Sequence, residues 1–171
     1  HLLSRRQRQM CIRDRPKGIN SVNQVYDDGD TLLHIAVKNR HTEIVEILLA
    51  KRAKAYLRND RDETPLHIAA LHSDIELVKL LIAACTKAKL LLATINQSNY
   101  CGETPLHLAA LYGHTKVAKA LLAKGAKADL TNHDGDMPLH IAVRLRHTEV
   151  VKALLANKHP QANQVNKHGV T

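Results

Sequence analysis

Four times the chain writes nearly the same phrase, and a chain built that way has few folds open to it. "TLLH" stands at 31–34, "TPLH" at 64–67 and again at 104–107, and "MPLH" at 137–140, which puts His34, His67, His107 and His140 at separations of 33, 40 and 33 residues. Small apolar residues follow each histidine, then a polar break, then a second apolar run: "IVEILLA", "LVKLLIA", "VAKALLA" and "VVKALLA". Thr at the head of the phrase offers an oxygen to an orphan helix N–H, and Pro is pre-set for the first helical position. Gly113 stands where the third short helix must end, in a left-handed conformation that costs glycine least. The run after it carries Val117 and Leu121 at helical spacing. Each unit therefore reads as two antiparallel helices. Helices below about 12–15 residues are marginal alone in water, so each pair must bury its face on the next, and the units must stack.

Composition agrees with thin layers rather than one thick core. There is no Phe, no Trp and only four Tyr, while the apolar content is an ordinary 44%. A core of Leu, Ala, Ile and Val suits closely stacked helices better than a centre filled by aromatics. No run of about 18 apolar residues is present, so no membrane span is expected.

The repeated Thr-Pro-Leu-His followed by small apolar residues resembles the ankyrin repeat, over residues 18–171. The resemblance implies an all-α ankyrin-repeat solenoid of helix-turn-helix units with hairpin-like connecting loops. It also implies that the signature histidine is a structural hydrogen-bonder. The units read 28–60, 61–100, 101–133 and 134–167. Residues 16–27 read as the tail of a preceding repeat and 168–171 as the start of another, so the expectation is a piece of a longer array.

Departures from the family pattern carry expectations of their own. Arg40, Ser73 and Arg146 occupy the place of Gly113, Leu32 replaces Pro, and Met137 replaces the capping Thr. The second unit is seven residues longer than its neighbours, and "ACTKAKLLLATINQSNY" (84–100) is expected to be a lengthened outer helix or a loop on one edge. A similar insertion occurs in ankyrin domains that inhibit Rel-type transcription factors. "DDGDTLLHIAV" (27–37) looks like their first repeat, a phrase many ankyrin proteins share.

Residues 1–15, "HLLSRRQRQMCIRDR", resemble translated sequencing-adaptor sequence and are set aside as a non-native segment. They hold five Arg and one Asp, so the net charge of +9 falls to +5 without them. That balance is no strong pointer to nucleic acid.

Twelve histidines invite a metal reading, but no two are three or four apart, the separation that sets two ligands on one helix face. The recurrent separation is seven, as in His107 and His114, and follows from the repeat. GxSxG, HExxH and GxxxxGK[ST] are all missing. Cys11, Cys85 and Cys101 form no CxxC. The expectations are no catalytic residue, no cofactor and no metal, with free thiols in a reducing compartment. That makes the cytoplasm the expected location, with the nucleus as its alternative.

Function must then lie on a surface. The resemblance implies binding at the loop tips and at the exposed ends of the inner helices. Mapped onto this sequence, the tip residues are Asp28, Asp30, Arg61, Glu63, Glu103, Asp134 and Asp136. The helix-end residues are Lys38, Asn39, Leu71, His72, Leu111, Tyr112, Arg144 and Leu145. The tip segments 27–30, 58–63, 101–103 and 131–136 hold nine acids and two Arg, net −7, which leaves +12 for the rest of residues 16–171. An acidic edge with an apolar row beside it predicts a protein partner that has a basic rim around an apolar anchor. The primary expectation is a monomeric, non-enzymatic interaction scaffold. The alternatives are a substrate-recruiting segment of a larger enzyme (kinase, ubiquitin ligase or acyltransferase), and nucleic-acid or anionic-membrane binding through the Lys-rich outer face. The outer pattern offers no stacking aromatics, which counts against single-stranded nucleic acid.

Overall fold

The computed structural model describes residues 21–156, and among them it contains nine α-helices and no strand. The inner helices are α1 (Leu32–Lys38), α3 (Pro65–Leu71), α6 (Pro105–Leu111) and α8 (Pro138–Arg144). The outer helices are α2 (Thr42–Ala50), α4 (Ile75–Lys87), α7 (Thr115–Ala123) and α9 (Thr148–Leu155), and a short α5 (Leu91–Ile95) follows α4. Helices pack within a unit or between consecutive units, α1 on α3, α3 on α6, α6 on α8, and likewise along the outer layer. The chain is an all-α repeat solenoid, as the repeat spacing requires.

The signature phrase does more than start a helix. Thr31 and Thr104 accept the N–H of the histidine three residues on, each at 3.4 Å. The backbone N–H of Thr31, Thr64 and Thr104 in turn donates to the Nδ1 of that histidine, at 3.2, 3.1 and 3.1 Å. Met137 brings no hydroxyl, yet its N–H still donates to His140 Nδ1 at 3.0 Å, so the backbone half of the motif survives the lost cap. Pro65, Pro105 and Pro138 sit at the first helical position as expected.

With Nδ1 accepting, Nε2 carries the proton and reaches forward. His34, His67 and His107 donate from Nε2 to the carbonyls of Glu63, Glu103 and Asp136 in the next unit, at 3.0, 3.2 and 3.1 Å. A second set reaches backward from the other end of the inner helices. His114 donates to the Leu71 carbonyl at 3.0 Å and His147 to that of Leu111 at 3.2 Å. These bonds use carbonyls that helix and loop ends leave without a partner.

The apolar residues between these ties form the core. Leu33, Leu66 and Leu106 of the inner helices and Leu77, Leu81, Val117, Leu121 and Val150 of the outer ones are buried. Alanines 69, 70, 109 and 110 are fully buried and let the inner helices lie close. Full burial of each large aliphatic side chain contributes about 1.5–3 kcal/mol against its exposed state.

Arg40, Ser73 and Arg146 adopt φ of 58°, 59° and 59°, beside 70° for Gly113. The left-handed turn is kept without glycine, at roughly 1 kcal/mol each. The insertion proves to be a longer helix and an extra one together. Helix α4 has 13 residues where α2 and α7 have 9, and α5 then folds back to bury Thr94 and Ile95. Asn96 at its end accepts the Lys127 N–H at 2.8 Å, as Asn23 accepts that of Lys54 at 2.8 Å. The expectations made for residues 1–15, 16–20 and 157–171 lie outside the described residues.

Candidate partner-binding surface

Three of the four loop tips, all but the first, are built around one asparagine. Asn59 Oδ1 accepts the N–H groups of Arg61 and Glu63, Asn99 those of Cys101 and Glu103, and Asn132 those of Asp134 and Asp136, all at 2.9–3.0 Å. This is an asparagine-closed turn, which frees the acids beside it from holding the backbone. The sequence reading missed these three residues, although the spacing of Asn59 to Glu63 recurs at Asn99 to Glu103 and Asn132 to Asp136.

The tips also bond to one another. Asp60, Tyr100 and His133 donate their N–H to the carbonyls of Asp28, Arg61 and Cys101 in the preceding tip, at 3.0, 3.0 and 3.1 Å. At the third junction this closeness needs glycine. A Cβ on Gly102 would stand 2.7 Å from the His133 backbone nitrogen, at a φ of +79°.

Of the tip residues named from sequence, Asp28, Arg61 and Asp134 are exposed and Glu63 and Glu103 half-buried. Asp30 and Asp136 do not stand on the surface as expected, being only 7% and 2% exposed. Both carboxylates are turned inward to hold polar groups of the array. Asp30 accepts from Asn59 Nδ2 at 3.0 Å, and Asp136 from Arg144 Nη1 at 2.7 Å. Arg144, expected as a partner contact, therefore has part of its guanidinium engaged by its own unit.

The helix-end residues separate in the same way. Lys38 and Asn39 are exposed, and Asn39 Nδ2 folds back to the Ile35 carbonyl at 2.8 Å. Leu71, His72 and Leu111 are half-buried. Tyr112 and Leu145 are 51% and 42% exposed, and they are the C-caps of consecutive inner helices. The apolar row thus narrows to two prominent neighbours. The Tyr112 ring stacks on His114, centroids 5.9 Å apart and planes at 18°, and His114 is itself held by Leu71. An aromatic so held loses little freedom when a partner covers it.

Charges follow the geometry. The Cys101 thiol is pushed up by partial desolvation and then by the carboxylates of Glu103, Glu63 and Asp134, which reports a negative field along the tips. Burial raises Cys85 as well, against a hydrogen bond from Thr94. Neither environment favours a thiolate. Burial, opposed by the carbonyls they donate to, lowers His67 and His107 to about 4 and also lowers His34. Their neutral form is the one the fold uses. Among the described residues no cluster of three or more His, Cys, Asp or Glu is arranged to hold a metal ion, and no helix is long and apolar enough to cross a membrane.

Comparison with known proteins agrees with this architecture. A family model described as ankyrin repeats (3 copies) matches twice, over residues 7–89 and 83–167. No curated protein matches the chain.

Proposed function

Because the chain belongs to the ankyrin-repeat family, whose members generally bind protein partners, we propose that it is a non-enzymatic, monomeric scaffold that grips a protein between its loop tips and its inner-helix ends. The observation that carries the proposal is the exposed Tyr112 ring, stacked on His114 at the end of one inner helix, with exposed Leu145 at the end of the next. A large aromatic left half-exposed and held in place is a ready anchor, and the exposed Asp28, Asp60 and Asp134 would steer a basic rim toward it. The fitting partner is a basic segment with one central apolar side chain.

Selection of random peptides on the immobilised chain tests this. It should return net-positive sequences with an apolar centre. The double variant Tyr112→Ala with Leu145→Ala should weaken the best of them by ~10-fold or more, with an unchanged circular dichroism spectrum. Peptides that hold the double variant as tightly as the parent remove this row as the anchor.

A further inference from the structure

A cleft of about 690 Å3 lies in the outer layer between α4 and α7, away from the tip row. Its floor is Ile82, Ala83, Ala120 and Ala123, and its rim carries Lys79, Lys87 and Lys124 with no acid. Lys79 shares its charge with Glu76 at 2.9 Å. Lys87 and Lys124, one on each wall, take part in none of the ion pairs among the described residues. The insertion makes the cleft what it is, because Lys87 belongs to the stretch by which α4 outruns the other outer helices. Leu92 of α5 is 68% exposed and stands beside Gly125, the residue next to Lys124.

We propose that this cleft is a docking groove for an acidic amphipathic helix. An alanine floor lets a helix backbone approach closely, and a narrow apolar strip between cations matches one apolar stripe flanked by Asp or Glu. Apolar residues at i and i+4 would cover the floor while carboxylates meet Lys87 and Lys124. A nucleic acid would find cations here but no aromatic to stack on, and would leave the apolar floor wet. A membrane surface, being flat, would not fill a cleft.

The probe is a fluorescein-labelled synthetic helix with Leu at i and i+4 and Glu on both flanks, measured by anisotropy on the whole chain. Its companions are a shuffled peptide of the same composition, a single-stranded oligonucleotide and phosphatidylserine vesicles. The patterned helix should bind at least ~10-fold tighter than the shuffled one. Ala83→Glu with Ala123→Glu, both at exposed helix positions, should weaken it ~10-fold or more with the fold intact by circular dichroism. Lys87→Glu with Lys124→Glu should do the same, and Tyr112→Ala should leave it unchanged. Equal binding of patterned and shuffled peptides overturns the assignment, as does indifference to both double variants. Tighter binding of the oligonucleotide or the vesicles overturns it in favour of a general polyanion face.

Discussion

Acidification should loosen this array well before ordinary carboxylates titrate. His67 and His107 are buried, accept a proton-bearing N–H at Nδ1 and donate from Nε2 to the next unit. A second proton has nowhere to go without breaking the Nδ1 contact and charging a dry site. Their pKa therefore falls to about 4 from an ordinary 6.5. Below pH 6.5 the unfolded chain binds more protons than the folded one, so stability is whole above that pH and declines as pH falls toward 4. At pH 5 the linkage amounts to about 2 kcal/mol for each residue, about 4 kcal/mol for both, with His34 adding in the same direction. Against a typical domain stability of about 5–15 kcal/mol that is a large share. Urea unfolding followed by far-ultraviolet circular dichroism at pH 7 and pH 5, at fixed ionic strength, measures it. His107→Gln should be less stable at pH 7 but should lose roughly half of the pH dependence. Equal stabilities at the two pH values, or an unchanged dependence in the variant, would refute the reasoning.

Three further substitutions test the local arguments. Gly113→Ala should cost about 1–3 kcal/mol in urea unfolding, because the new Cβ would lie 2.7 Å from His147 Nδ1 at a φ of +70°. Leu32→Pro should change stability by less than about 0.5 kcal/mol in the same assay, because Thr31 is already extended at φ −84°, ψ 167° as a residue before Pro requires, while the Leu32 N–H that closes the Val25–Thr31 bridge is lost. Asn99→Ala removes the acceptor for two backbone N–H groups and should cost about 1–3 kcal/mol, with faster hydrogen exchange at Cys101 and Glu103 as its local signature.

The helices were legible because their signals are local. Thr and Pro at the head of each phrase, and the small residues behind, need only one turn of neighbours to be understood. The left-handed turns at Arg40, Ser73 and Arg146 were legible only by comparison with Gly113, since nothing about those residues alone asks for that conformation. The insertion was half legible. "TKAKLLLATI" is apolar enough to continue a helix, and its break after Lys87 lets α5 pack back on α4 with Thr94 and Ile95 buried. The binding surface was the least legible part. Acids in turns look alike in sequence, and only a distant partner such as Asn59 or Arg144 decides that Asp30 and Asp136 point inward while Asp28 and Asp134 point out. The roles of His114 and His147 were hidden for the same reason, because their acceptors are 43 and 36 residues away.

The amide bonds that run from tip to tip turn the edge of the solenoid into a graduated ruler. A ligand that reaches across several units meets marks at a constant pitch, and one mark cannot shift without dragging the next. Selectivity for an extended ligand then resides in the distance between its charged groups as much as in their identity. Gaining or losing one whole unit would lengthen or shorten the scale while leaving its divisions where they were.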